Sequence, residues 1–378
     1  MDAESSEAPT LVERTPVMIL SGFLGSGKTT LLNRAMRDPA MSRTLVIINE
    51  FGDISLDHAL VASSDDTIMV LENGCLCCTV FGDLLSTLNR AYHQRRAGEI
   101  PDFDRVVIET SGLVDPGPVL QAFLSDPTLE GLYRIGGVIV LADAVNCLST
   151  IESYTESVRQ IALADVIIVT KSDLVPAHDG SDASVQLDNA LRRLNATAQI
   201  LRVESVPDVA SLMLDAKPDP SRGVDEARRW LDLELSGYDS EIGRDTCGGD
   251  HAEPGHRHGP AVESFSYVRD EPIPREALQL LLTALERNLG PGLLRVKGLV
   301  NVLEEPGRPA VVQGAQHLLH NLVWLDQWPT ADERTRLVFI VDTMTRAEVQ
   351  EMIELVDRVA RRTANARLAQ KSVFLDSP

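Results

Sequence analysis

The chain is short of positive charge, of long apolar runs and of cysteine, and each shortage excludes something. Thirty-five Lys and Arg against 56 Asp and Glu leave a formal charge of −21 over 378 residues. That balance opposes nucleic acid or an anionic membrane as the main partner, since both are polyanions. No apolar stretch approaches the roughly 20 residues that span a bilayer. The opening MDAESSEAPTLVERT is acidic where an export signal would be basic and then apolar. We therefore expect a cytoplasmic protein with neither membrane nor nucleic acid as partner. Five cysteines is an odd number, and a disulfide framework is not expected in a chain of this size and compartment.

What is present can fill real cores: 44% of residues are hydrophobic, and the length suits two domains. Short β-branched runs recur at 16–20, 44–49, 67–72, 105–110, 136–143 and 165–173, with a further strand expected at 199–205. Stretches of helical spacing lie between them, such as Thr29 to Met36 and Gly82 to His93. The alternation predicts an α/β fold with a parallel sheet covered by helices. From 206 to 260 Pro, Gly and Asp break the pattern, apart from one helix expected at Asp225 to Leu235, and we read a connector. Strand and helix periodicity resumes from 261 to 364, predicting a second, smaller α+β domain whose last helix ends near Arg362. Residues 1–14 and 365–378 are expected to be tails, so the first domain is expected to occupy 15–205.

GFLGSGKT, Gly22 to Thr29, fits G-x-x-x-x-G-K-[ST] and follows a predicted strand while opening a helix, which makes it a P-loop. Gly22, Gly25 and Gly27 let backbone N–H groups turn toward phosphate oxygens, and the helix N-terminus adds its positive dipole end. Lys28 is expected on the β- and γ-phosphates, and the Thr29 hydroxyl on Mg²⁺. TKSD, Thr170 to Asp173, is the candidate base reader. Asp173 would accept from guanine N1–H and the exocyclic amine, with Lys171 along the base; adenine would leave that carboxylate facing a lone pair. Glu109 ends the strand RVVIE, where a carboxylate can hold a Mg²⁺-bound water. Gly112 is placed to turn its N–H onto the γ-phosphate. No glutamine follows Gly112 and no arginine finger is evident, so slow intrinsic hydrolysis is expected.

ENGCLCCT crowds Cys75, Cys77 and Cys78 into four residues just before a predicted helix. Thiols there have lowered pKa, and Cys75 with Cys77 project the same way from an extended segment. A metal site, a redox switch and small buried hydrophobes all fit this pattern. As a metal site, three thiolates suit Zn²⁺ and leave a fourth position, for which Glu50, Asp53 or a connector histidine is a candidate. His251, His256 and His258 form a short cluster that is either a metal-capturing loop or an inert one.

GFLGSGKTTLLN, NEFGD, ENGCLCC, VIETSGLVDPGPV, TKSD and LLRVKG together resemble the CobW-type P-loop GTPases, relatives of the nickel-insertion GTPases of urease and hydrogenase. The resemblance covers about 15 to 205 closely and 261 to 345 more loosely. It implies a GTP-hydrolysing metallochaperone with GTP, Mg²⁺ and Zn²⁺, delivering metal to a client metalloprotein, and a nucleotide- or metal-dependent dimer. It assigns phosphate binding to Gly22 through Thr30, including Ser26 and Thr30, metal to Cys75, Cys77 and Cys78, and base recognition to Lys171 and Asp173. Members of the family also serve cobalt or iron, as in cobalamin or nitrile hydratase, and a P-loop kinase or ATPase with redox-active cysteines is the rival class. Two departures stand out: Ile48 where some relatives have a carboxylate, and Thr170 where Asn is commoner.

Overall fold

The computed structural model describes residues 14–48, 68–70, 79–175, 180–206, 208–214, 262–289, 292–315, 318–319, 322–342 and 344–375. The chain divides into two compact units, residues 1–191 with 198–217 and residues 192–197 with 218–378.

The first unit is built on seven strands: β1 Thr15–Gly22, β2 Thr44–Ile48, β3 Ile68–Val70, β4 Arg105–Glu109, β5 Tyr133–Asp143, β6 Val166–Thr170 and β7 Gln199–Arg202. Their order is β3-β2-β4-β1-β5-β6-β7, and every pairing is parallel. Central strands of such a sheet are covered on both faces, which is why they read as continuous apolar runs: Val17 to Leu20, Val106 to Ile108 and Val166 to Val169 are all buried. Helices α1 Lys28–Met36, α2 Thr79–Ala97, α3 Pro116–Ser125, α4 Pro127–Leu132, α5 Cys147–Ser153, α6 Thr155–Leu163, α7 Gly180–Leu194 and α8 Val209–Leu214 connect them. Helix α2 starts three residues before the expected Gly82.

The insertion of β4 between β2 and β1 matters for function. In an open α/β sheet, ligands bind outside the carboxyl ends of the strands where the winding direction reverses. The register sets Leu20 beside Glu109, Gly22 beside Leu141 and Asp143 beside Thr170. Every nucleotide-site residue named above that the structure describes thus lies at or just past a strand's carboxyl end.

Residues 206–214, where a connector was expected to open, belong to the first unit. Val206, Val209, Ala210 and Met213 share a core with Leu31, Leu32 and Ala35 of α1, and Arg34 donates to the Val206 carbonyl at 3.1 Å. The short apolar stretch VASLML is ambiguous by periodicity alone, and here it forms α8 and packs on the core of the sheet. The helix expected at Asp225 to Leu235 and the three connector histidines lie outside the described residues.

The second unit contains an antiparallel sheet of β8 Glu263–Arg269, β9 Leu293–Val300, β10 Ala310–Ala315, β11 Leu318–Leu319, β12 Val323–Trp324 and β13 Thr335–Val341. The order is β11-β10-β9-β13-β8, with β12 also on β10. Helices α9 Arg275–Ala284 and α10 Arg346–Leu375 accompany it. Leu278, Leu281, Val349 and Ile353 from the helices bury with Val296, Val300, Leu337 and Phe339 from the sheet. A capping box opens α10: Thr345 N and Oγ1 donate to Glu348, whose N–H donates back to Thr345 Oγ1. The helix continues to Leu375, well past the expected Arg362. ARRTANARLAQK holds good helix formers and neither Gly nor Pro, so the tail expected at 365–378 is helical as far as Leu375. Arg295 and Lys297 are only 5% and 3% exposed, because β9 is an interior strand.

Candidate nucleotide site

The loop Phe23 to Gly27 joins β1 directly to α1. Gly25 and Gly27 have φ of 73° and 96°, a region other residues enter at a cost of about 1–2 kcal/mol. Gly22, at φ 135°, is limited by space as well: a side chain there would meet the Leu141 carbonyl at 2.6 Å and Ser26 Oγ at 2.9 Å. Lys28 is buried in the first turn of α1, and its Nζ donates to the carbonyls of Gly22 at 2.8 Å and Phe23 at 3.2 Å. The ammonium is thereby fixed against the loop, beside the positive end of the helix dipole.

Thr29 Oγ1 donates to Glu109 Oε1 at 2.8 Å. Glu109 is 5% exposed, so a hydroxyl and a carboxylate, both hard oxygen donors, meet at the phosphate end of the loop. That donor set fits Mg²⁺. Just past Glu109, Thr110 N donates to the Leu20 carbonyl at 2.9 Å and its hydroxyl to Ser21 Oγ at 2.9 Å, clamping the end of β4 to β1. Gly112 then passes so close to the P-loop that a Cβ would stand 2.6 Å from Leu24 N. Thr30, by contrast, is exposed on the outer face of α1.

The TKSD segment joins the same site. Thr170 Oγ1 donates to the Ser26 carbonyl at 2.8 Å. Lys171 has φ 59°, the one positive value among described residues other than glycine. Its Nζ donates to Asp143 Oδ2 at 2.7 Å. Asp143 also accepts from Val145 N at 2.9 Å and Asn146 Nδ2 at 3.0 Å. Burial pushes the Asp143 carboxyl up, but the Lys171 ammonium and these two donors outweigh it and hold it below its usual range. Asp173 lies exposed in the 3₁₀ turn Ser172–Leu174.

Sequence reading missed Asp143 and Gln160. Asp143 carried a usable signal, since it closes an apolar strand as Glu109 does. Gln160 on α6 donates from Nε2 to the carbonyls of Gly112 and Val114, and its only trace is a polar residue on the buried face of an apolar helix. Cys75, Cys77, Cys78, Glu50 and Asp53 lie outside the described residues. Among the described residues no group of three or more His, Cys, Asp and Glu is placed to hold a metal, and no helix is long and apolar enough to cross a membrane.

A glycine loop turning from strand to helix around a buried ammonium, at the carboxyl edge of a parallel sheet, makes this a P-loop nucleotide-binding protein. Residues 16–202 match the family described as CobW/HypB/UreG, nucleotide-binding domain, and residues 262–356 the one described as Cobalamin synthesis protein cobW C-terminal domain. The chain belongs to the CobW family: it is 30% identical over 371 residues to the Zinc chaperone CobW of Pseudomonas aeruginosa, covering 93% of this chain and 94% of that one. Zinc chaperone YjiA of Escherichia coli is 37% identical over 187 residues, 50% of this chain and 57% of that one. Zinc-regulated GTPase metalloprotein activator 1 of Schizosaccharomyces pombe is 30% identical over 213 residues, 53% and 50% of the two chains. The chain thus spans about half the length of these last two relatives. The crystal structure of Zn(II)-bound YjiA GTPase shares the fold, with a TM-score of 0.61 and 24% identity over 91% of this chain and 99% of that one.

Proposed function

We propose that the protein is a cytoplasmic GTPase that carries zinc to a client metalloprotein. The observation that supports the guanine nucleotide best is the joining of TKSD to the P-loop, through Thr170 to Ser26 and Lys171 to Asp143. In this reading Lys28 and the loop N–H groups bind the phosphates, Lys171 lies along the base, and Asp173 accepts from it. Thr29 and Glu109 hold Mg²⁺, which when bound neutralises charge on the β- and γ-phosphates. Gly112 offers its N–H to the γ-phosphate and so distinguishes GTP from GDP.

Cys75, Cys77 and Cys78 bind the zinc, with Glu50 or Asp53 completing the site and His251, His256 and His258 assisting capture. In the sequence the motif directly precedes Thr79, where α2 begins, and a cysteine near a helix N-terminus is favoured as thiolate. The segment 49–78 connects β2 to α2 and thus lies between the P-loop and Glu109 in the chain. We propose that the γ-phosphate shifts this segment and changes zinc affinity, that hydrolysis resets it, and that a nucleotide- or zinc-dependent dimer takes part. The zinc names of the relatives support cargo over cobalt or iron, and the domain at 261–364 is the proposed client contact.

Two substitutions test the reading. Cys77→Ala is expected to abolish co-purifying zinc while GTP binding stays intact. Asp173→Asn is expected to move selectivity from guanine to xanthine nucleotides. Zinc retained by the first variant would refute the cysteine assignment, and unchanged guanine preference in the second would refute the base assignment.

A further inference from the structure

The loop after β4 is gripped from α6 by a residue to which nothing so far gives a function. Gln160, 1% exposed, spends its amide on two backbone acceptors, the carbonyl of Gly112 at 3.1 Å and that of Val114 at 3.0 Å. Its neighbour Arg159 reaches the Asp115 carboxylate at 3.3 Å, and Asp115 caps α3 by accepting from Gly117 N. Immediately before α6, the Tyr154 ring lies 4.7 Å from that of Phe23 in the P-loop. The segment from Tyr154 to Gln160 therefore touches both loops that flank the γ-phosphate position.

The side chain chosen is informative. An apolar residue of equal size would fill this buried position without the cost of burying an amide. Glutamate would bring acceptors where donors are needed. Each peptide unit moves as a plane, so a residue's N–H and its C=O belong to different planes. Gln160 holds the plane between Gly112 and Leu113 and the one between Val114 and Asp115. The plane between Ser111 and Gly112, which carries the Gly112 N–H, is held from within the loop by the bond its Ser111 carbonyl accepts from Val114 N at 3.1 Å, and turning it about the φ of a glycine, where no Cβ restricts it, exchanges that bond alone.

We propose that Gln160 is a positioning residue for GTP hydrolysis: it fixes the downstream side of Gly112, making that glycine a one-sided hinge that turns a single N–H toward the γ-phosphate. The inference rests on the role proposed for Gly112 above. Without the clamp, the γ-phosphate must order the whole loop instead of one peptide, and the GTP state loses affinity while the GDP state does not.

The test compares full-length Gln160→Met and Gly112→Ala with the unaltered chain, reading affinity for GDP, affinity for a non-hydrolysable GTP analogue, and kcat and KM for GTP. For Gln160→Met we expect GDP affinity to hold within about twofold while GTP-analogue affinity and kcat each fall about tenfold. Gly112→Ala is expected to lose the same discrimination. If Gln160→Met weakens both nucleotides equally, or leaves their ratio and kcat unchanged while Gly112→Ala loses discrimination, the hinge is overturned and the Gly112 reading stands. If Gly112→Ala keeps its discrimination, the Gly112 reading falls and takes the hinge with it. Should Gln160→Met not fold, residue-resolved amide exchange of the unaltered chain decides. Protection of the Gly112 amide by the GTP analogue, with Leu113 and Asp115, whose peptide planes Gln160 holds, unchanged from GDP, supports the hinge. A uniform change from Ser111 to Asp115 overturns it.

Discussion

The hydroxyl of Thr170 donates to the carbonyl of Ser26 at 2.8 Å, so the strand end that carries TKSD is tied to the P-loop. The residue that departs from the commoner Asn-Lys start of the guanine motif is thus bonded into the site. Thr170→Val keeps the shape and strands a buried carbonyl, at a cost of about 1–3 kcal/mol. We expect a lowered thermal midpoint and weaker GTP binding, measured by calorimetry. Thr170→Asn restores a donor and is expected to retain binding within about threefold.

Thr29 and Glu109 make a second prediction. Glu109→Gln preserves an acceptor for the Thr29 hydroxyl, so folding stability should change little. The lost charge should show in the response to Mg²⁺: the gain in GTP affinity on adding Mg²⁺ is expected to shrink about tenfold, as befits a charged group near a divalent ion. An unchanged Mg²⁺ response would remove Glu109 from the phosphate site.

Asp143 holds Lys171 in its left-handed conformation, with side chains 9% and 34% exposed. Asp143→Asn should cost roughly 2 kcal/mol, less than the breaking of a fully buried pair because Lys171 is partly in water. The pH dependence has a definite sign. The folded carboxyl lies below its ordinary 3.8, so its contribution is full above pH 3.8 and is lost as pH falls through the folded value. Acid unfolding of Asp143→Asn should therefore lack this part of the slope, which stability curves between pH 5 and pH 2 would show.

Cys147 behaves oppositely to what the proposal requires of the clustered cysteines. Burial, helped by the nearby Asp143 charge, raises its thiol from about 9 to about 12. A maleimide at pH 7.5 should leave Cys147 unmodified in the folded protein and label it on unfolding, as read by mass spectrometry. Because the unfolded thiol ionises first, its contribution to stability is present below pH 9 and is lost as pH rises from 9 toward 12. If the three-cysteine assignment is right, zinc should slow labelling of Cys75, Cys77 and Cys78 and leave Cys147 indifferent.

Much of this architecture was legible in the chain because strand and loop chemistry are local. All seven strands of the first sheet were expected from apolar β-branched runs, and the P-loop from its glycines and Lys28. What escaped was the work of residues that act across the fold. Gln160 meets Gly112 from 48 positions away, and Asp143 meets Lys171 from 28. A helical period shows that one face is buried but not which carbonyl waits beneath it. The burial of Arg295 and Lys297 shows the same limit, since only the strand order places β9 in the interior. Val206 to Met213 join the first unit for the same reason, since their apolar spacing gains meaning only against α1.

The central claim is that zinc and GTP act on one another, and linkage makes it measurable from either side. Isothermal calorimetry of a non-hydrolysable GTP analogue, with and without saturating zinc, and of zinc with and without the analogue, closes a thermodynamic cycle. The account predicts that zinc changes analogue affinity, on the order of tenfold, and that the analogue changes zinc affinity by the same factor. Identical nucleotide affinities with and without zinc, together with identical zinc affinities with and without the analogue, would contradict it.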